Sequence, residues 1–418
     1  MKIIKRIIKI ILCLAAGSCL ILSAFLMFQM YKPVLDASKT VDGISNYAMK
    51  VTDELVSENA KIIGLGEASH GNKEFQELKL DVFKTLIRDN GVSAICFEMG
   101  YGEGVLINDY INGNSAMTIE ELFSHIKFPI YHTEEMKDLI EWMREYNENS
   151  HDGYLEFYGF DIQNPEVDIF VISEYIKKNN IAPAAAPIDA YLANEFNFKD
   201  ERMGEVFDLL STYKEELSKD TYDEDAGIDR IRKCIDNVFL AKELAAIPSG
   251  DSIAYGTYRD KTMAGNIEEI YHYVGSPIMI TGHNGHIGYA GSYVKTMGSY
   301  LKESMGGEYF AIGTDYFKTT ANKRSKNGRK NHTSYSGDLL AYQAKDLGTY
   351  YLRFADLTDD ENLNSIITGK MPTGSLGESF EFLNNLIAGT VRVYAPVTDL
   401  YDAMIFVYEA TPFTQLEE

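Results

Sequence analysis

The stretch IIGLGEASHGNKEF, residues 62–75, decides the fold. It opens as a short apolar run that stops at glycine, which reads as a buried strand. The following NKEFQELKLDVFKTLIRDNG carries Phe75, Leu78, Val82, Phe83, Leu86 and Ile87 at helical spacing, with Gly91 where a helix C-cap belongs. VSAICFE then gives a second buried strand. Strand, helix and strand within about 40 residues form a βαβ unit, and such units build parallel sheets.

Outward from there the same grammar returns at 153–161 (GYLEFYGFD), 276–286 (SPIMITGHNGH), 308–317 (EYFAIGTDYF), 350–356 (YYLRFAD) and 403–412 (AMIFVYEATP). The predicted fold class is α/β: a mainly parallel central sheet flanked by helices. Residues 166–250 are charged and helical in pattern, and read as a helical insertion or cap. Residues 41–57 read as an amphipathic helix, and the basic run 318–332 as an exposed loop, with contact to anionic envelope polymers as the alternative.

The N-terminus has its own signature. Lys2, Lys5, Arg6 and Lys9 precede residues 10–30, which carry no charge. Roughly 20 apolar residues suffice to cross a bilayer as a helix, and positive flanks stay in the cytoplasm. The expected result is an uncleaved single-pass transmembrane helix with the remainder outside the cell; a cleaved signal, leaving a secreted protein, is the alternative. Against 62 acidic residues stand 39 basic ones, a net charge of −23, which argues against general nucleic-acid binding. Cys13 and Cys19 fall in the apolar segment, and Cys96 and Cys234 lie far apart, so neither a disulfide framework nor a thiolate metal site is expected.

Ligands of parallel α/β sheets bind at the carboxyl ends of the strands. Here the ends deliver Glu67 and His70, then Glu98, then Asp161, then His283 and His286, and later Asp315 and Glu409. One polar ending is ordinary. Four in succession point to a shared cleft, because an unpaired charge at a buried strand end is costly. Taken singly, His70 caps a helix as readily as it catalyses, and Glu98 could satisfy backbone N–H groups. Together, two imidazoles and two glutamates could activate a water and protonate a leaving oxygen. No G-x-S-x-G, Walker A or G-x-G-x-x-G occurs after a strand, and GHNGH is not H-E-x-x-H. A divalent metal is the rival reading, with Glu67, His70, Glu98 and His283 as acceptable Zn²⁺ or Mn²⁺ ligands if their tips converge.

GLGEASHGNKEF, GVSAICFEMGYGEGVLINDYI, FPIYHTEEMKDLIEWMREYN, FYGFDIQ, YRDKTMAGNI, ITGHNGHIG, MGSYLKE and YDAMIFVYEATP occur in an order that resembles the erythromycin esterase family, some of whose members carry names tied to succinoglycan synthesis. The resemblance runs over about residues 60–412. It implies a hydrolase that opens a macrolide lactone with an activated water, without a covalent intermediate or a cofactor. By motif position His70 is the base, Glu67 and Glu98 orient it or the water, and His283 and His286 complete the site. Arg259 helps build the cleft, and Lys73, Glu74, Asp161, Tyr101 and Tyr131 fall where substrate contacts are expected. Lys73 and Lys79 stand where the family pattern suggests arginine, which loses the planar two-pronged donor. The membrane helix also departs from the soluble resistance enzymes of the family.

The expected partner is therefore a small-molecule ester, with no nucleic acid and with membrane contact through the N-terminal helix. The expected division is a membrane anchor or signal segment at 1–32 and an α/β hydrolytic domain at 33–418. Two other readings use the same residues: a metal-dependent hydrolase of an envelope ester, and a non-catalytic envelope protein that binds a polyketide or glycan.

Overall fold

β1 (Ile62–Glu67) and β2 (Ala94–Gly100) are buried at every position, as short apolar strands covered on both faces must be. Between them the helix Lys73–Asn90 turns Phe75, Leu78, Val82, Phe83 and Leu86 inward, none more than 5% exposed. The remaining strands are β3 (Glu156–Asp161), β4 (Ile278–His283), β5 (Tyr309–Ser325), β6 (Gly328–Tyr335), β7 (Tyr350–Arg353), β8 (Met371–Gly374), β9 (Arg392–Ala395) and β10 (Ala403–Ala410). This computed structural model describes residues 2–150, 154–181, 183, 185–219, 227–291, 294–381, 384 and 388–416. Residue 153 of the expected third strand, and residues 182, 184 and 220–226 of the expected insertion, lie outside the described residues.

The chain forms two compact units, one of residues 52–66, 76–313 and 414–418, the other of residues 1–51, 67–75 and 314–413. In the first, the strand order is β3-β2-β4-β1-β5. β2 runs parallel to β3 (Ala94 opposite Glu156) and to β4 (Ala94 opposite Ile278), and β1 runs parallel to β5 (Ile62 opposite Tyr309). Helices Glu166–Lys178, Ala186–Leu192, Met203–Leu217 and Ile228–Ala246 follow β3, and Ser252–Val274 leads into β4. That last helix starts where the Asp251 carboxylate accepts the Ala254 N–H at 2.9 Å, a cap for one of the unpaired first-turn donors.

In the second unit β6 lies antiparallel to β5 from Lys318–Tyr335 to Ser325–Gly328, and β7 lies antiparallel to β10. β8 and β9 form a small sheet of their own. The helix Lys2–Ala37 is long and apolar enough to cross a membrane, a test that a signal sequence also passes. It continues through Pro33, past the expected boundary at 32. Its C-terminal part is tied down in this unit, where the Met30 carbonyl accepts from Arg392 Nη2 at 2.8 Å.

The result is a mixed α/β fold with a mostly parallel central sheet. Two expectations give way. Residues 41–57 hold only the 3₁₀ turn Ile44–Asn46, because Met49 exchanges both backbone hydrogen bonds with Tyr351, at 2.9 and 2.8 Å. The basic run 318–332 is a hairpin rather than an exposed loop, with Thr319, Ala321 and Lys323 buried in strict alternation.

Candidate functional site

In the first unit the ends of β2, β3 and β4 meet one helix. Glu98 from β2 accepts Arg259 Nη2 on Oε1 at 2.7 Å and the backbone N–H of His283 on Oε2 at 2.8 Å. Asp161 at the end of β3 takes Arg259 side-on, Nε at 2.9 Å and Nη2 at 2.8 Å. This two-pronged grip is what a guanidinium does and an ammonium does not. Room for it comes from Gly282, where an added Cβ would fall 2.8 Å from Glu98 Oε2.

The third guanidinium nitrogen, Arg259 Nη1, lies 2.9 Å from His286 Nε2, and His286 Nδ1 lies 2.8 Å from Asp260 Oδ1. Arginine only donates, so Nε2 is the acceptor here and the ring proton sits on Nδ1, given to Asp260. Asp260 Oδ1 is fixed in turn by the Met297 N–H at 2.8 Å. Burial works against a charged His286 ring, but Glu98 and Asp260 outweigh it and the opposing Arg259 charge, so its pKa is raised. A proton taken by Nε2 would release Arg259 and find Glu98 Oε1, 3.4 Å away. Nε2 is therefore the atom of His286 that would take a proton. The neighbouring His283 accepts the Gly285 N–H on Nδ1 at 3.1 Å, which leaves the ring proton of its neutral form on Nε2.

The second unit holds the other half of the expected set. His70 Nδ1 and Glu67 Oε1 are 2.5 Å apart, with residue exposures of 7% and 1%. The turn between them is pinned to its surroundings: Ala68 N–H donates to Thr314 Oγ1 at 3.0 Å, and Asn322 N–H to the Gly71 carbonyl at 3.0 Å. Only glycine fits at 71, since a Cβ would lie 2.4 Å from the Asn322 carbonyl oxygen. A carboxylate at one imidazole nitrogen fixes the tautomer and makes the other nitrogen more basic.

The expected substrate contacts distribute differently. Arg259 and Asp161 hold each other, and Arg259 also meets Glu98 and His286. Glu74 accepts the Thr411 N–H and hydroxyl, both at 2.6 Å, and the Lys73 N–H donates to the Thr411 carbonyl at 2.9 Å. Tyr131 is packed in the interior, edge-on to Phe97 at 5.4 Å. Lys79, at an expected arginine position, is buried over the same two rings, its Nζ 2.7 Å from Gln76 Oε1. Tyr101 lines a cavity of about 170 Å³ with Tyr158, Arg230 and Tyr273, residues other than those of the Glu98 network.

Asp260 was not legible in the sequence as a partner of His286. Asp260 stood beside Arg259 in YRDKTM, a helical Arg–Asp pair whose two side chains serve two different partners. Among the described residues, no three His, Cys, Asp or Glu side chains gather as a metal-ligand set.

The family described as erythromycin esterase matches residues 87–410, beginning after the Glu67–His70 turn. Erythromycin esterase type II of Escherichia coli is 36% identical over 104 residues, 25% of this chain, and the match spans about a quarter of that protein (24%). YbfO of Bacillus subtilis (strain 168), whose name provisionally makes it a hydrolase, is 23% identical over 318 residues, 67% of this chain and 69% of its own. A crystal structure of a Bacillus cereus protein shares the fold with a TM-score of 0.71 at 20% identity, over 92% of this chain and 99% of that one. Family and relatives' names together support a hydrolase as the class of protein. The chain belongs to the erythromycin esterase family.

Proposed function

We propose that this protein hydrolyses an ester or lactone of macrolide type, with His70 as the base that activates water. One observation carries the reading: the 2.5 Å contact of His70 Nδ1 with Glu67 Oε1 at the end of β1. With Nδ1–H donated to Glu67, Nε2 is the atom that takes a proton from water. The hydroxide oxygen bonds to the acyl carbon, the carbon–alkoxide bond breaks, and the alkoxide recovers the proton from His70. The products are a carboxylic acid and an alcohol. Arg259 holds Glu98 and His286 in a second proton-handling network, and no metal is called on. The N-terminal helix, with Lys2, Lys5, Arg6 and Lys9 on the cytoplasmic side, keeps the enzyme at the outer face of the membrane.

The test is a panel of macrolides and simple esters offered to purified protein, His70→Ala and chelator-treated protein. The reading expects turnover by the parent that survives chelation and falls by about a hundredfold or more in His70→Ala. An accepted ester hydrolysed at the full rate by His70→Ala would falsify it.

A further inference from the structure

Lys323 faces inward from β5 and is 0% exposed. Its Nζ donates to the carbonyls of Leu376 at 3.1 Å and Gly377 at 2.9 Å. Those carbonyls belong to a segment that itself grips the Glu67–His70 turn. Leu376 N–H donates to the Ala68 carbonyl at 2.8 Å, and Ser69 pairs with Leu376 as a parallel bridge. Arg324 N–H donates to the Glu378 carbonyl at 3.1 Å, so β5, the segment and the turn are stitched together around one amine.

A buried ammonium costs several kcal/mol of lost hydration unless dipoles and opposite charge replace the water. Two carbonyls supply the dipoles. The charge comes from Glu67 in the turn and Glu378 in the segment, with Arg329 of β6 opposing. Arg329 is itself ion-paired with Glu378. His70 is joined to the group through Glu67, and Arg324, next along β5, is exposed.

We propose that Lys323 is a positioning residue for the Glu67–His70 pair, bracing the 376–378 segment against the turn and offsetting the Glu67 charge. The inference rests on the reading of His70 as the base. It explains why a strand buries an amine beside that turn: Glu67 orients the imidazole, and the nearby cation offsets part of the charge that Glu67 carries out of water. Burial pulls the Lys323 pKa down to about 7 against the pull of Glu378 and Glu67. The brace therefore holds its charge on the acid side of neutrality and gives it up above.

The experiment follows the rate of diethyl pyrocarbonate labelling of His70 by peptide mass spectrometry, from about pH 5 to 9, in detergent-solubilised full-length protein. Only neutral imidazole reacts. In Lys323→Met and Lys323→Gln the pH midpoint of His70 labelling should rise by about one unit, because the charge of Glu67, the partner of the ring, is no longer offset. On p-nitrophenyl acetate the acid limb of kcat/KM should move the same way. Lys323→Gln keeps a donor for the two carbonyls and serves if the Met variant does not fold. A purely structural lysine would change the labelling rate at every pH and leave the midpoint in place, which overturns the proposal. Labelling needs no turnover, so an active His70→Ala would sink the base assignment while the charge coupling is judged on its own.

Discussion

Arg259 and Glu98 meet at 2.7 Å with side-chain exposures of 10% and 7%, and the same guanidinium nitrogen lies 2.8 Å from Asp161. One cation from a helix thus joins the carboxylates of two adjacent parallel strands. Removing one partner of a buried ion pair leaves the others uncompensated, at a cost of roughly 3–5 kcal/mol. Arg259→Met should therefore lower unfolding stability by about that amount in urea titrations. Arg259→Lys should fall between the two, because it keeps the charge and loses the fork. A Met variant as stable as the parent would mean that this network does not hold the strand ends.

Glu98 and Asp260 together favour the charged form of His286. The raised pKa of the folded ring means that its contribution to stability is complete below the unfolded value near 6.5, and is lost as pH climbs through the folded value. Asp260→Asn removes one of the two carboxylates responsible. The destabilisation caused by this change should be larger at about pH 6 than at about pH 8, compared by thermal unfolding. A deficit of equal size at both would show that Asp260 acts on the ring only as packing.

Much of this was written in the local pattern. Short apolar runs ending in Glu67, Glu98, Asp161 and His283 announced both the strands and the groups at their tips, because buried parallel strands have nowhere else to put ionisable residues. What stayed hidden depended on partners distant in sequence. Lys323 looked like part of a solvated basic run until β6 and the 376–380 segment covered it, and no local signal marks a lysine whose acceptors lie 53 and 54 residues away. The one trace was the alternation Phe317, Thr319, Ala321, Lys323, which the surrounding charges masked. Arg259 was visible as a site residue, but its role as a brace was not, since nothing in YRDKTM says that Asp161 and Glu98 saturate its fork.

Gly282 offers a probe that adds no polar group. An alanine Cβ would sit 2.8 Å from Glu98 Oε2 and 3.1 Å from Glu98 Cβ, so the carboxylate must shift off Arg259 or off the His283 N–H. Gly282→Ala should cost about 1–3 kcal/mol of stability, the usual range for overpacking. If Glu98 serves turnover, kcat on an accepted ester should drop about tenfold with little change in KM, since the shifted group is a positioner. Unchanged kcat in a folded variant would remove Glu98 from the machinery.

A last prediction concerns a buried carboxylate pair in the second unit. Asp315 and Asp338 are both fully buried and act on each other's ionisation, and two neighbouring carboxylates buried together hold a proton that a solvated one would release. Burial drives both up, Asp338 to about 6 and Asp315 well above the ordinary carboxylate range, with the Asp338 charge adding to the effect on Asp315. The folded chain keeps a proton that the unfolded chain releases near pH 4, so stability from this pair is whole in acid and is lost as pH rises through about 6. Asp338→Asn supplies the donor permanently. It also keeps an oxygen for the Leu340 and Ala341 N–H groups that Asp338 Oδ1 caps at 2.7 and 3.3 Å. The variant should match the parent near pH 4 and exceed it by roughly 1–3 kcal/mol near pH 8, read from urea midpoints. A parent more stable than Asp338→Asn at pH 8 would mean that the pair sheds its shared proton without penalty, and that its burial is compensated by charge rather than by the proton.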